Sequence, residues 1–220
     1  QKVMWISNDS LVSNAEVLLL PGTGQTELGR RNMCSMHTTE SDTASILLDY
    51  GRELHGGLKL VLGSAKPWKP TSIRIRFGES VSEACSQNDG GKRRKGYSTN
   101  DHAMRDMIMQ IPSDGQIEIG STGFRFIRID CLSPNTTMYL KEAPAIFRYR
   151  NIPYLGSFRC NDQRLNDIWM TGAYTVHLNM QEYLWDGIKR DRLIWLGDMH
   201  PEVATIMSVF GHNEVVNKSI

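Results

Sequence analysis

The stretch N151-I-P-Y-L-G-S-F-R-C160 divides the chain into two kinds of sequence. It carries one proline, one glycine and no sustained periodicity, so it reads as a connector over 151–160. Before it, the chain is written in short alternating runs. After it, apolar residues recur at helical spacing.

On the N-terminal side, residues 1–150 hold the runs ASILLDYG, GGLKLVLGSA, TSIRIRFGES, QIEIGSTGFRFIRIDCL and TMYLKEAPAIFRYR. Clusters of Gly, Pro, Ser and Asn separate them. In TSIRIRFGES the residues Ile73, Ile75 and Phe77 point one way and Arg74 and Arg76 the other. Phe124, Phe126, Ile127 and Ile129 mark a similar run. One dry and one wet face is the pattern of an antiparallel sheet. Several such strands at short spacing predict an antiparallel β-sandwich of jelly-roll type.

On the C-terminal side, Leu165, Ile168, Trp169, Gly172, Ala173, Val176, Met180 and Tyr183 follow the i, i+3, i+4, i+7 rule of an amphipathic helix. Asn161 or Asp162 is placed to cap it. A second helix is expected to begin near Pro201, a good first-turn residue, with Val203, Ile206, Met207 and Phe210 on one face. Gly211 is placed to interrupt it. Two helices cannot bury both their faces alone, so residues 161–220 are expected to open a larger helical domain and the chain to be the N-terminal part of a longer protein.

Composition narrows the function classes. The hydrophobic fraction is 40% and the net charge +1, enough for a core and too balanced for a global pull on nucleic acid or acidic membranes. The basic run Lys92–Lys95 sits between glycines with Asp89 and Asp101 nearby, which favours a solvated loop. No segment has the ~18 consecutive apolar residues of a membrane span. The four cysteines, Cys34, Cys85, Cys131 and Cys160, show no metal-ligand spacing. No phosphate-binding glycine loop or nucleophile elbow is present, and no cofactor or metal is expected.

The loop between the two helices carries the chemistry. W185-D-G-I-K-R-D-R-L-I-W-L-G-D-M-H-P-E202 sets Asp186, Asp191, Asp198 and Glu202 among Lys189, Arg190, Arg192, Trp185 and Trp195. A plain ion-pair network would explain the charges but not the indoles. A carboxylate beside arginine stays ionised, whereas one walled by tryptophan keeps its proton longer. Protonating a leaving oxygen while neighbouring acids hold hydroxyls is what glycoside hydrolysis requires. Glu202 reads either as a first-turn acid suited to the dipole of the second helix or as a residue reaching the pocket, with the former preferred. His55, His177, Glu53 and Glu79 read as structural.

Asp186–Asp198 resembles the signature of the bacterial α-L-rhamnosidases of glycoside hydrolase family 78. That signature runs Asp-Cys-Pro-Gln-Arg-Glu, two residues, Gly-Trp, one residue, Gly-Asp. Asp186, Arg190, Trp195, Gly197 and Asp198 match it without a gap. NDQRLNDIWMTGAYTVHLNM resembles the first helix of the family's barrel, and LDYGRELHGGLKL, IRIRFGES and GFRFIRID resemble its preceding β-domain. The resemblance implies the first helices of an (α/α)6 barrel and metal-independent hydrolysis of terminal α-L-rhamnosides with inversion. It implies Asp191 as general acid, a general base on a glutamate far downstream, and Asp186, Arg190, Trp195 and Asp198 as the sugar-binding set. It also implies a periplasmic or extracellular setting and a rhamnose-containing glycan or glycoside as partner. Asp191 stands where the family has Glu, and its carboxyl is roughly an ångström further back, a misplacement that can cost about 100-fold. Gly187-Ile188-Lys189 replaces Cys-Pro-Gln, and Ile194 replaces the glycine before the tryptophan. Two alternatives stay open: a carbohydrate-binding protein with a degenerate barrel, using Trp5, Trp68 or Tyr97, and another (α/α)6 exo-glycosidase.

Overall fold

The computed structural model describes residues 1–27, 29–86 and 105–220. Lys92–Lys95 and Tyr97 lie outside them. In chain order the elements are β1 (Lys2–Ile6), β2 (Val12–Ser13), β3 (Cys34–His37), β4 (Ala44–Lys66), β5 (Thr71–Gly78), α1 (Val81–Cys85), β6 (Asp106–Ile111), β7 (Gly115–Cys131), β8 (Thr137–Glu142), β9 (Ala145–Phe147), α2 (Gln163–Asn179), α3 (Leu196–Val209) and α4 (Glu214–Ser219). They fall into two compact units, 1–147 and 148–220.

The first unit is one antiparallel sheet in the order β2-β3-β8-β4-β7-β5-β6, with β1 and β9 also on β4. The two runs ASILLDYG and GGLKLVLGSA are a single 23-residue strand. The reason lies in the backbone ladder. β4 pairs with β7 from Ala44↔Cys131 to Leu62↔Gly115, and register shifts at Asp49/Leu54 and Gly56/Leu58 absorb the residues that look like a turn. Gly51, at φ +90°, supplies the left-handed step the first irregularity contains. Along the opposite edge of β4, three short partners follow one another: β1, then β9, then β8.

The main core draws on both halves of this strand, Ile46 and Leu48 with Leu58, Leu60 and Leu62, together with Ile73, Ile75, Phe77, Phe124, Ile127 and Ile129. Phe77 and Phe124 meet edge to face at 5.3 Å between ring centres. The expected alternation of β5 holds for its dry face. Its other face is wet only in part: Ser72 and Arg74 are half-buried, but Arg76 is 3% exposed. There Arg76 Nη2 donates to Asp130 Oδ2, whose other oxygen accepts from Arg128. A buried charge survives only when paired, and Asp130 meets that need for Arg76. Phe126 likewise leaves the main core and packs with Leu47 and Ala84 of α1.

The second unit is helical. Asp162 caps α2, its side chain accepting from the Arg164 N–H at 2.9 Å. Ala173 of α2 and Met180 just past its end pack with Met199, Ile206, Val209 and Phe210 and with Val215 of α4, while Leu165 and Ile168 stay exposed. The connector joins this core through Ile152 and Tyr154, and Leu155 and Gly156 donate backbone hydrogen bonds to Val209 O. α3 begins at Leu196, five residues before the expected Pro201. Met199 N–H reaches Trp195 O at 3.0 Å, and the buried Met199 side chain fixes that first turn in the core. Pro201 therefore sits inside the helix. Gly211, at φ +75°, follows its end.

Candidate active site

The segment between α2 and α3 is a closed loop. Leu184 N–H donates to Ser219 Oγ at 2.8 Å and Trp185 N–H to Asn179 O at 3.0 Å, which ties the loop's entry to α4 and to the end of α2. Asp186 and Leu193 then close the base. Asp186 N–H donates to Leu193 O at 3.1 Å, and Leu193 N–H donates to Asp186 Oδ1 at 2.9 Å. One oxygen of Asp186 is thus committed to the backbone. Ile188 and Lys189 are buried beneath this closure.

The tip of the loop is the strained part. Asp191 and Arg192 stand at φ +62° and +52°. Arg192 N–H donates to Arg190 O at 2.9 Å across Asp191, the i to i+2 bond of a three-residue turn. Left-handed backbone at two consecutive non-glycine residues costs of order 1–3 kcal/mol each and persists only where the surroundings impose it. The turn exposes Asp191, beside which Arg190 Nε stands 3.7 Å from Oδ1. Arg192 lies over the Trp185 ring at 5.9 Å.

Trp195 is the N-cap residue of α3 and 49% exposed. Asp198 lies in the first turn of α3, where the helix dipole favours its charge. Glu202 follows one turn later and is not a first-turn residue, because the helix starts earlier than Pro201. It is 8% exposed. Its Oε1 accepts from Asn179 Nδ2 at 2.9 Å, and its buried Oε2 has no hydrogen-bond partner among the described residues. Burial pushes the Glu202 carboxyl above the ordinary range. The Asn179 hydrogen bond opposes this, and the charges of Asp198 and Asp186 add to it.

The charges of Asp186 and Asp198 thus both act on Glu202, which has Asn179 as its fixed neutral partner. Arg190 and Asp191 form a separate pair at the loop tip. Sequence reading preferred Glu202 as a first-turn acid and missed its burial beside Asn179. The signal available was its spacing: four residues after Asp198, it shares that residue's helix face. Among the described residues no group of three or more His, Cys, Asp or Glu side chains converges closely enough to hold a metal ion. A groove of about 360 Å³ between α2 and α3, lined by Ile168, Trp169, Ala173, Ala204 and Val209, contains none of the five expected site residues.

Two histidines are built into the scaffold of the described residues. His177 Nε2 lies 2.6 Å from Arg150 O and Nδ1 3.2 Å from Tyr154 Oη, fastening the connector to α2. His55 is buried in β4. Among the described residues no helix is long and apolar enough to cross a membrane.

Residues 153–220 match the model of the bacterial α-L-rhamnosidase six-hairpin glycosidase domain, which bears out the resemblance read on the signature loop. Among solved structures, the chain is similar to a rhamnosidase from Klebsiella oxytoca with rhamnose bound (TM-score 0.70, 20% identity, 83% of this chain and 36% of that one). It is also similar to the family 78 rhamnosidase of Bacillus sp. GL1 (TM-score 0.69, 22% identity, 94% of this chain and 20% of that one). The chain thus spans well under half the length of either structure, and at these identities the likeness is one of fold. Among curated proteins no relative matches the chain.

Proposed function

We propose that this chain carries one wall of the sugar pocket of an α-L-rhamnosidase-like glycoside hydrolase, exo-acting on terminal α-L-rhamnose with inversion. The observation that carries the reading is the family match over 153–220, which contains the whole loop from Trp185 to Glu202. The rhamnose bound in the Klebsiella oxytoca relative supports the choice of sugar. On this reading the curved antiparallel sheet is the β-sandwich that precedes the catalytic domain, and α2 to α4 are the first helices of an (α/α)6 barrel. A periplasmic or extracellular setting goes with it.

Asp191 protonates the glycosidic oxygen. It is an aspartate where longer glutamates serve, and the left-handed turn supports its role by carrying it out to the loop's exposed tip. Arg190 beside it orients the acid. Asp186 and Asp198 accept hydrogen bonds from sugar hydroxyls, and the half-exposed indole of Trp195 covers the apolar side of the ring. An inverting reaction needs a second carboxylate as base, about 6.5–9.5 Å away with a water between them. On this reading the base is a glutamate downstream of the signature.

The test is release of L-rhamnose from an aryl α-L-rhamnoside by the intact protein, with Asp191→Asn alongside. Activity in wild type and loss of at least 100-fold in the variant is the expected result. A wild type inert on rhamnosides but active on another aryl glycoside overturns the sugar. A fully active Asp191→Asn overturns the acid.

A further inference from the structure

We propose that Arg192 is a positioning residue for Asp191: laid over the Trp185 ring, its guanidinium holds the left-handed turn that presents the Asp191 carboxyl. This rests on the reading above, in which Asp191 is the general acid.

The loop rises from its base, turns and falls back to it. The base is the Asp186–Leu193 pair, bonded in both directions. On the rising limb Ile188 and Lys189 are buried, which fixes the backbone there. Arg190 and Asp191 are exposed at the tip. The falling limb is one residue long: it is Arg192, and it is half-buried. Its φ is +52°, next to +62° at Asp191. In that region Cβ crowds the following carbonyl oxygen, so a chain free to relax leaves it. Aspartate tolerates the region better than most residues; arginine does not. The restraint that keeps Arg192 there has to reach beyond the tip. The Arg192 N–H to Arg190 O bond joins two residues of the turn itself. The Arg190–Asp191 ion pair, at 3.7 Å, lies at the exposed tip and adds little.

The contact that leaves the tip is the one to Trp185. The Arg192 guanidinium stands 5.9 Å from the centre of that ring, within the range of a cation–π interaction. Trp185 is itself anchored. Its N–H donates to Asn179 O at 3.0 Å, and Leu184 before it is fully buried with its N–H on Ser219 Oγ at 2.8 Å. The restraint therefore runs from the helical core through Leu184 and Trp185 to Arg192, and from there across one peptide bond to Asp191. Without the indole, Arg192 relaxes out of the left-handed region and turns Asp191 with it. A misplacement of about 1 Å at a reacting group can cost roughly 100-fold, and the short aspartate side chain has little reach to correct it.

The experiment has two arms, both on the intact protein. The first varies the leaving group. A basic leaving oxygen needs the proton of the general acid, whereas dinitrophenolate departs without one. Trp185→Leu is expected to lower kcat by about tenfold or more on phenyl α-L-rhamnoside, with little change on the dinitrophenyl rhamnoside and in KM. Trp185→Phe, which keeps a ring, is expected to recover most of the loss. Arg192→Gly adopts the left-handed turn without strain but has no anchor, and is expected to show the same dependence on leaving group. Equal losses on both substrates, or full activity in Arg192→Gly, overturn the proposal. The second arm reads the turn directly. A left-handed φ brings a residue's amide and α protons together and gives a strong NOE within the residue. In protein labelled with 15N at arginine, that of Arg192, assigned by its loss in Arg192→Lys, is expected to be strong and to weaken in Trp185→Leu. An unchanged NOE overturns the proposal. If wild type hydrolyses neither rhamnoside, it is the functional reading that fails, and the NOE still decides whether Trp185 holds the turn.

Discussion

Asn179, the last residue of α2, donates its side-chain N–H to Glu202 Oε1 in the second turn of α3 at 2.9 Å. This bond is the one polar restraint on Glu202 that favours its ionised form. Replacing Asn179 by Leu leaves both carboxyl oxygens without a protein donor. The Glu202 titration is expected to move further up, read by carboxyl 13C NMR. Stability is expected to fall by about 1–3 kcal/mol, the cost of an unsatisfied buried polar group, read by urea unfolding.

Glu202 also sets a pH dependence of folding. Its carboxyl is raised from 4.5 in the folded state. The folded state then binds the proton more tightly than the unfolded chain. The stability this contributes is complete below pH 4.5 and is lost as pH rises through the folded-state titration. Glu202→Gln removes that loss. The variant is expected to gain stability over wild type progressively across this window, measured as the difference in urea midpoints from pH 4 to 8.

Asp49 behaves with the opposite sign. Its carboxyl is buried in β4 and bonded bidentately by Arg125, at 2.8 and 3.0 Å. The Arg125 hydrogen bonds hold it below its ordinary 3.8. Its contribution is present above that value and lost as pH falls through the folded-state titration. Arg125→Met removes the largest restraint and leaves burial opposed only by the Gly51 N–H and the Lys2 charge. Acid unfolding, followed by circular dichroism, is expected at higher pH than in wild type.

Gly156 tests how the connector is fastened. A Cβ there would stand 1.9 Å from Ser208 O, against the last turn of α3. The backbone comes this close because Leu155 and Gly156 both donate to Val209 O, at 2.7 and 2.9 Å. Gly156→Ala is expected to break or lengthen these bonds and cost about 1–3 kcal/mol, seen as a lower thermal midpoint for the helical unit.

Local pattern carried part of the fold. Ile73, Ile75 and Phe77, read as one dry face, are fully buried, and Asp162 caps the helix it was expected to cap. What pattern could not show was set by distant partners. β6 reads D-M-I-M-Q-I, poor in strand-forming residues, and is a strand because β5 pairs with it from Thr71↔Ile111 to Arg76↔Asp106. Arg76 looks like a surface residue until Asp130, 54 positions away, is placed beside it. β4 looks like two strands because Gly51, Gly56 and Gly57 imitate a turn, while the ladder to β7 runs past them. In the site, the signature loop was legible from residue types. The depth of Glu202 was not, because a helix start at Leu196 rather than Pro201 depends on Met199 finding the core.

The length of β4 has a consequence at the ribosome. Its partners β7, β8 and β9 all follow it in the chain, and among the described residues only β1 precedes it as a partner. When Lys66 leaves the exit tunnel, one whole edge of the strand awaits residues up to Cys131. At ~5–20 residues per second that wait is roughly 3–13 s. For that time Ile46, Leu48, Leu58, Leu60 and Leu62 lack the β5, β7 and β8 residues of their core, and only β1 and earlier core residues such as Val12, Leu18 and Met36 are present to cover them. The nascent unit is therefore a natural client for a chaperone that grips extended apolar segments, and its yield on expression should respond to translation speed between codons 66 and 131.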